Sequence, residues 1–458
     1  MSRSFDAIIV GAGQAGPALA ARLTGAGMTV ALVERHHVGG TCVNTGCKPT
    51  KTMVASAYAA HLARRGADYG VGTGAISIDL ARVHARAEKV ILDSRKGNED
   101  WLAGMKTLTL IRGHARFTGP RTIAVGDETI TAPRIFLNVG GRPAIPDLKG
   151  VGDVPYLTNS DMIAMTEVPE HLVVVGGSYI GLEFAQMFRR FGSQVSIVEM
   201  GPRLIAREDE DVSEEIRRIL EGERIAIRTS ATCITLKPGA GGGVIVGVDC
   251  HEGAPEIEGS HVLLATGRRP NTDDLGLDAA GIATDKRGYI VVDDGLAATA
   301  EGVWAMGDCN GKGAFTHTAW NDYEIVAANL LDGETRKVSD RLLGYALYVD
   351  PPLGRVGMTL AQAQATGRPL LHAKRSMKRV GRAVEKDETA GFMSMVADAE
   401  TKKILGAAIL GTGGDEAIHA VLTLMNAGGT VDTLRWAVPI HPTVAELLPT
   451  LADDVKPA

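Results

Sequence analysis

Asp6-Ala7-Ile8-Ile9-Val10-Gly11-Ala12-Gly13-Gln14-Ala15-Gly16 decides the fold. A short apolar strand runs straight into G-x-G-x-x-G, a strand–turn–helix signature in which glycines let the backbone approach a pyrophosphate. A helical stretch and Gly27 follow, then a second strand, Thr29-Val30-Ala31-Leu32-Val33-Glu34, ending in an acid suited to ribose hydroxyls. One such motif is weak evidence, but the chain holds two. His171-Leu172-Val173-Val174-Val175 runs into Gly176-Gly177-Ser178-Tyr179-Ile180-Gly181, with Gly192 and the strand Gln194-Val195-Ser196-Ile197-Val198-Glu199 beyond. Glu34 follows Gly11, and Glu199 follows Gly176, at the same separation of 23 positions. In both copies the helix N-terminus would stabilise phosphate charge. The second departs from the pattern only at Ser178, whose Cβ crowds the closest approach.

The chemistry lies in Gly39-Gly40-Thr41-Cys42-Val43-Asn44-Thr45-Gly46-Cys47-Lys48-Pro49-Thr50-Lys51. Five residues along a regular helix put Cα atoms roughly 8.6 Å apart, beyond the about 6.8 Å that a disulfide spans. The cysteines therefore sit where the backbone leaves a helix, as Gly39, Gly40 and Gly46 permit. Pro49 suits the first turn of a helix beginning just beyond. Cys47 would then feel the positive end of the helix dipole, which favours thiolate. Two thiols of unequal acidity at a helix entrance suit redox exchange. An inert disulfide is the alternative, disfavoured in a reducing compartment.

A length of 458 residues predicts about three domains. The formal charge of −6 with scattered basic residues gives no footprint for nucleic acid. No apolar run approaches the roughly 20 residues that cross a membrane, and residues 1–6 lack a signal peptide's apolar segment. A cytoplasmic protein is expected. Cys233, Cys250 and Cys309 have no partner spacing and read as free structural thiols; no resident metal is expected. From about residue 336 the pattern changes. Residues 380–397 and 403–410 read as strands, and 415–427 as a helix with Ile418, Val421, Leu422 and Met425 on one face. Residues 153–168 and 331–338 read as linkers.

The cysteine stretch and the paired glycine turns resemble the flavin-dependent pyridine nucleotide–disulfide oxidoreductases, the family of glutathione reductase, lipoamide dehydrogenase and mercuric reductase. Thr299-Ala300-Glu301-Gly302-Val303-Trp304-Ala305-Met306-Gly307-Asp308 resembles the family segment whose terminal Asp holds the flavin's ribityl chain. Ala265-Thr266-Gly267-Arg268-Arg269-Pro270-Asn271 resembles the strand–turn returning to the flavin domain, and Asn138-Val139-Gly140-Gly141-Arg142-Pro143 is its divergent counterpart. His441-Pro442-Thr443-Val444-Ala445-Glu446 completes the likeness. The resemblance implies an α/β fold with two Rossmann-like dinucleotide-binding domains, for FAD and NAD(P), plus a C-terminal α+β dimerisation domain. Residues 1–152 and 266–335 would bind FAD, 153–265 NAD(P), and 336–458 would pair the chains of a homodimer.

It also implies an enzyme, an NAD(P)H:disulfide oxidoreductase passing electrons from nicotinamide through flavin to a Cys42–Cys47 disulfide and on to a small disulfide. By match, Cys47 is the flavin-proximal thiol and Cys42 the outer thiol that attacks substrate. His441 handles the proton, with Glu446 on its other nitrogen fixing the tautomer. Lys51 and Glu183 form an ion pair beside the flavin. Gly11, Gly13, Gly16, Glu34, Thr41, Lys51, Gly140, Asp308 and Thr316 fall to FAD, with Thr316 opening a helix towards the ring. Gly176, Tyr179, Gly181, Glu199 and Gly267 fall to NAD(P). Glu199 would repel a 2′-phosphate, so NADH is favoured, although Arg203 stands close.

The substrate is less determined. The first-helix Arg that glutathione reductases use aligns with Ala21, and their substrate-site Tyr with Glu99, which would repel a carboxylate; both argue against glutathione disulfide. True mercuric reductases add an N-terminal metal-binding domain and a C-terminal cysteine pair, whereas this sequence has no cysteine after Cys309. Phe315-Thr316-His317-Thr318-Ala319-Trp320-Asn321-Asp322-Tyr323 and Asp350-Pro351-Pro352-Leu353-Gly354-Arg355-Val356-Gly357-Met358 resemble a flavoprotein subgroup acting on copper. A reductase of a soft metal ion, copper or mercury, is the second reading. Lipoamide dehydrogenase and a non-catalytic flavin redox sensor rank lower, the sensor because His441 and Glu446 are both present.

Overall fold

The computed structural model describes residues 2–248 and 255–458. The first glycine unit builds a five-stranded parallel sheet in the order Val303–Ala305, Arg134–Leu137, Ala7–Val10, Val30–Glu34, Leu108–Arg112. Ala7–Val10 is buried on both faces, which is why it reads as a continuous apolar run. The second unit builds a four-stranded parallel sheet in the order His261–Leu264, His171–Val175, Gln194–Val198, Ala226–Arg228. Strand for strand this is the order of the first sheet without its outer Val303–Ala305. An antiparallel meander precedes the last strand in each unit, within 115–131 in the first and 235–259 in the second. The duplication visible in two motifs therefore extends through the whole topology.

The segments leaving the two units meet. Gly141–Pro143 pairs antiparallel with Arg268–Pro270 in a two-stranded ribbon, so the counterpart segments recognised in the sequence are bonded to each other. The last region is a six-stranded antiparallel sheet, Gly344–Leu347, Leu353–Gly357, Ile404–Leu410, Phe392–Asp398, Leu370–Ser376 and Lys456–Pro457. The helix Gly414–Asn426 covers it, burying Ile418 and Val421 with Leu422 and Met425 packed alongside, the face that the periodicity predicts.

Two readings need correction. Residues 380–391 are not strand: Gly381–Glu385 is a short helix, and Asp387 (φ +49°) and Gly391 (φ +97°) turn the chain before Phe392–Asp398 begins. Those left-handed positions end any extended run. The strand Leu370–Ser376 is missing from the sequence reading. Residues 153–168 are more than a linker, since Asn159–Ala164 is a helix that buries Met162 and Ile163. Cys309 is buried and Cys233 exposed, both free; Cys250 lies outside the described residues.

Candidate active site

Both glycine turns solve the same packing problem. Gly11 (φ +100°) and Gly176 (φ +118°) lie so close to the neighbouring strand that a Cβ would stand 2.3 Å from Asn138 O and 2.4 Å from Ala265 O. A Cβ on Gly16 or Gly181 would meet the carbonyl of its own turn, at 2.2 and 2.1 Å. The acids behave identically. Glu34 accepts the N–H groups of Ala12 and His36 at 2.8 Å each, and Glu199 those of Gly177 and Gly201 at 2.6 Å each. Neither N-cap residue, Gln14 before Ala15–Gly25 nor Ser178 before Tyr179–Phe191, closes its helix with its own side chain, which keeps the helix entrance open to phosphate oxygens. Ser178 sits exposed and extended at the second helix start (φ −111°, ψ −175°). These features fit a dinucleotide at each turn.

Asn138, whose side chain the sequence did not single out, ties the first turn together. Its Oδ1 accepts Gly16 N–H at 3.1 Å and its Nδ2 donates to Met306 O at 3.0 Å. The neighbouring Gly140 (φ +64°) accepts from Asn271 N–H at 3.0 Å, and Gly267 (φ +115°) accepts from Ala144 N–H at 2.9 Å. Asp308 faces Arg268 at 3.6 Å; burial pushes its carboxyl up and the guanidinium pulls it back. Arg268 also reaches Thr41 Oγ1 at 3.5 Å.

The cysteines stand on different helices. Cys42 lies in Gly40–Asn44, which ends at Thr45; Gly46 (φ −136°, ψ −121°) then turns the chain so that Cys47 is the first residue of Cys47–Arg64. The helix begins earlier than Pro49 suggests, and Pro49 occupies its first turn at no hydrogen-bond cost. A Cβ on Gly40 would stand 2.9 Å from Gly13 Cα, so the cysteine loop packs directly on the first glycine turn. Cys42 donates its S–H to Cys47, and with the Thr316 hydroxyl (3.2 Å) and Lys51 this outweighs burial and lowers the Cys47 pKa to about 6. The Cys42 thiol is pushed up by that same bond and by burial. Thr316 is the first residue of the helix Thr316–Leu331.

Lys51 Nζ meets Glu183 Oε2 at 2.6 Å, with Glu183 6% and Lys51 33% exposed. The Tyr348 ring lies 4.5 Å from the ammonium and the Tyr348 N–H donates to Glu183. Tyr179 packs edge-on against Phe315 and Tyr345, with a buried hydroxyl that has no partner. The aromatic neighbours come from remote segments, so no local signal announced them. His441 Nδ1 lies 2.8 Å from Glu446 Oε2, and that carboxylate also accepts Thr443 N–H. His441 is 80% exposed and makes no hydrogen bond to either cysteine of its own chain. Beside it Trp436, Val438 and Ile440 are largely exposed, a cluster of large apolar side chains. Glu99 is not a bare carboxylate: Arg112 pairs with it at 2.6 Å, which cancels the repulsion expected from sequence.

A twice-built dinucleotide fold with a thiol pair at a helix entrance defines a flavin- and nicotinamide-dependent redox enzyme. The family model described as pyridine nucleotide-disulphide oxidoreductase matches residues 5–322, and that of its dimerisation domain residues 344–452. The chain belongs to the pyridine nucleotide-disulphide oxidoreductases: it is an oxidoreductase acting on a sulfur group with NAD(P)H, and FAD is its prosthetic group. It is 34% identical to the probable pyridine nucleotide-disulfide oxidoreductase RclA of Escherichia coli, over 99% of each chain. A mercuric reductase of Bacillus cereus is 32% identical over 96% of this chain and 70% of its own, and a dihydrolipoyl dehydrogenase of Chlorobaculum parvum 33% over 97% and 96%. A solved Cu(II) complex of the HOCl-induced flavoprotein disulfide reductase RclA from Escherichia coli superposes with a TM-score of 0.89 at 33% identity, covering 98% of this chain and 99% of that one. Among the described residues no helix is long and apolar enough to cross a membrane.

Proposed function

We propose that Cys42 and Cys47 are the working dithiol of an NADH-dependent reductase of compact disulfides, completed by His441 and Glu446 of a second subunit. The observation that carries this is the thiol pair itself: two neighbours on separate helices, one with its pKa lowered to about 6 and the other pushed up. Residues 1–152 and 266–335 would hold FAD through the Gly11–Gly13–Gly16 turn, Glu34, Thr41, Lys51, Gly140, Asp308 and Thr316. Residues 153–265 would hold the nicotinamide dinucleotide through Gly176, Tyr179, Gly181, Glu199 and Gly267, and residues 336–458 would form the subunit interface. The flavin, when bound, supplies the dithiol with the two electrons it takes from NAD(P)H.

The residues then divide the work. The partner subunit's His441 takes the proton of the Cys42 thiol, and the Cys42 sulfur attacks one sulfur of the substrate; the substrate S–S bond breaks and a mixed disulfide forms. The departing thiolate takes the proton that the partner subunit's His441 holds, with the Glu446 carboxylate steadying the imidazolium. Cys47 thiolate next attacks the Cys42 sulfur, restoring the Cys42–Cys47 disulfide and expelling the second substrate half as a thiolate, which takes its proton from solvent. Lys51 and Glu183, paired at 2.6 Å, would present a fixed charge pair to the flavin. A soft metal ion held between the two thiols is the second reading, supported by the likeness to RclA and the mercuric reductases.

Glu199 accepts two backbone N–H groups at the strand end, so its carboxylate is fixed where a 2′-phosphate would have to stand. Arg203 does not relieve this, since its Nη2 donates to the carbonyls of Ala206 and Glu208. Steady-state kinetics should give a kcat/KM for NADH about a hundredfold above that for NADPH, narrowing in Glu199→Ala. Equal efficiencies would refute the assignment. Glutathione disulfide should turn over little above the slow oxygen reaction at millimolar concentration, because Ala21 offers its terminal carboxylates no bidentate partner. Robust reduction would move the substrate assignment to glutathione. The reading as a whole is tested by assaying NADH oxidation against a panel of disulfides, quinones and metal ions. Turnover of compact disulfides supports it, and turnover of metal ions alone would select the second reading.

A further inference from the structure

The seam between the helices Cys47–Arg64 and Leu80–Ala103 carries three cations held by neutral acceptors. Arg95 donates to Asn44 Oδ1 through Nε (3.1 Å) and Nη2 (2.8 Å), at the end of the short helix that bears Cys42. Lys48, next to Cys47, donates to Ser94 Oγ at 2.9 Å. Arg86 donates to Thr52 O at 2.6 Å and Ser56 Oγ at 3.3 Å. Among the described residues none of the three is in an ion pair, although the chain is net acidic and most of its ion pairs are made by arginines. Of the acids of the second helix, Asp93 is neutralised by Lys89 (2.5 Å), Glu99 by Arg112 (2.6 Å) and Asp100 by Lys96 (2.5 Å), while Glu88 is in no ion pair among the described residues and pairs with none of the three cations.

Lys48 differs from the other two in its freedom. Arg86 is exposed too but has two acceptors, whereas exposed Lys48 is bonded to a single hydroxyl, and its charge is felt at the Cys42 sulfur. An ammonium held by one neutral hydroxyl keeps donors free for an incoming anion. We infer that Lys48 is a specificity-determining residue, whose ammonium receives the carboxylate of a small disulfide carrying that charge a few bonds from its sulfur, the amino-acid disulfide class. The inference rests on the disulfide-reductase reading above. It narrows that reading in two ways. Glutathione disulfide carries its carboxylates at the peptide ends, far from the sulfur, and a free metal cation would be repelled by the same ammonium.

The test uses the flavin-loaded enzyme with three disulfides of similar size: 3,3′-dithiodipropionate (anionic), 2-hydroxyethyl disulfide (neutral) and cystamine (cationic). The wild-type kcat/KM should fall in that order, mainly through KM, and the spread should shrink as salt screens the exposed ammonium. Lys48→Met should cut the anion-to-cation ratio about fivefold and Lys48→Glu about twentyfold, while Lys48→Arg retains it. A ratio that stays fixed in Lys48→Met and Lys48→Glu, an equal fall for all three substrates, or a wild-type preference for cystamine would overturn the inference. Failure of the wild-type enzyme to reduce any of the three would instead overturn the disulfide-reductase reading, and this inference with it.

Discussion

Cys42→Ser should keep a long-wavelength flavin–thiolate absorbance as purified, and Cys47→Ser should lose it. Both should lose disulfide turnover by about four orders of magnitude, as enzymes do when one member of a nucleophilic unit is removed. The asymmetry follows from where the thiols stand. Cys47 opens its helix and collects a hydrogen bond from Cys42, another from Thr316 and the charge of Lys51. A serine at position 42 still offers an O–H donor, so the Cys47 thiolate persists. Because the Cys47 pKa is lowered, the thiolate dominates above about pH 6 and is protonated below it, and the absorbance of Cys42→Ser should fade as pH falls through that value. Cys47→Ser removes the thiolate itself, and burial still holds the Cys42 thiol up in that variant. Indistinguishable spectra from the two variants would contradict the division of labour.

His441→Ala should cost about a thousandfold in disulfide turnover, the size expected for a general acid–base group, while leaving flavin reduction by NADH intact. The imidazole is fixed by Glu446 yet largely exposed, with no bond to the cysteines of its own chain. Trp436, Val438 and Ile440 alongside are 78%, 96% and 78% exposed. Large apolar side chains clustered in this way mark a protein contact, and a two-fold pairing through the dimerisation domain would bring each His441 to the other chain's thiols. Mixing Cys42→Ser with His441→Ala chains gives heterodimers with one intact site. If half the dimers are mixed, about one quarter of wild-type activity should return from two inactive parents. No recovery, or full turnover by a monomer in light scattering, would contradict completion of each site by His441 of the partner subunit.

Much of this was legible in the chain because its signals are local. A strand, three glycines and an acid fit within 28 residues, Ala7 to Glu34, and the same spacing recurring at Gly176 made the reading firm. The structure adds why the spacing matters: Glu34 and Glu199 return to the N–H groups of their own turns. Residues 380–391 misled because the Asp387 and Gly391 turns that break the run show only in backbone angles. Glu99 misled for a different reason. Its neutralising partner, Arg112, lies on another element, and long-range charge pairing leaves no periodicity to read. The Tyr179, Phe315 and Tyr345 cluster was hidden in the same way, by assembly from three distant segments.

The central claim is that electrons from the nicotinamide reach the Cys42–Cys47 pair. Thiol labelling tests it most directly. As purified in air, the protein should yield a disulfide-linked peptide joining Cys42 to Cys47, and neither cysteine should react with N-ethylmaleimide after denaturation. After one equivalent of NADH without oxygen, mass spectrometry should find both cysteines labelled and the linked peptide gone, with Cys233 and Cys309 labelled alike in both samples. A Cys42–Cys47 link that survives NADH, or that never forms in air, would contradict the account.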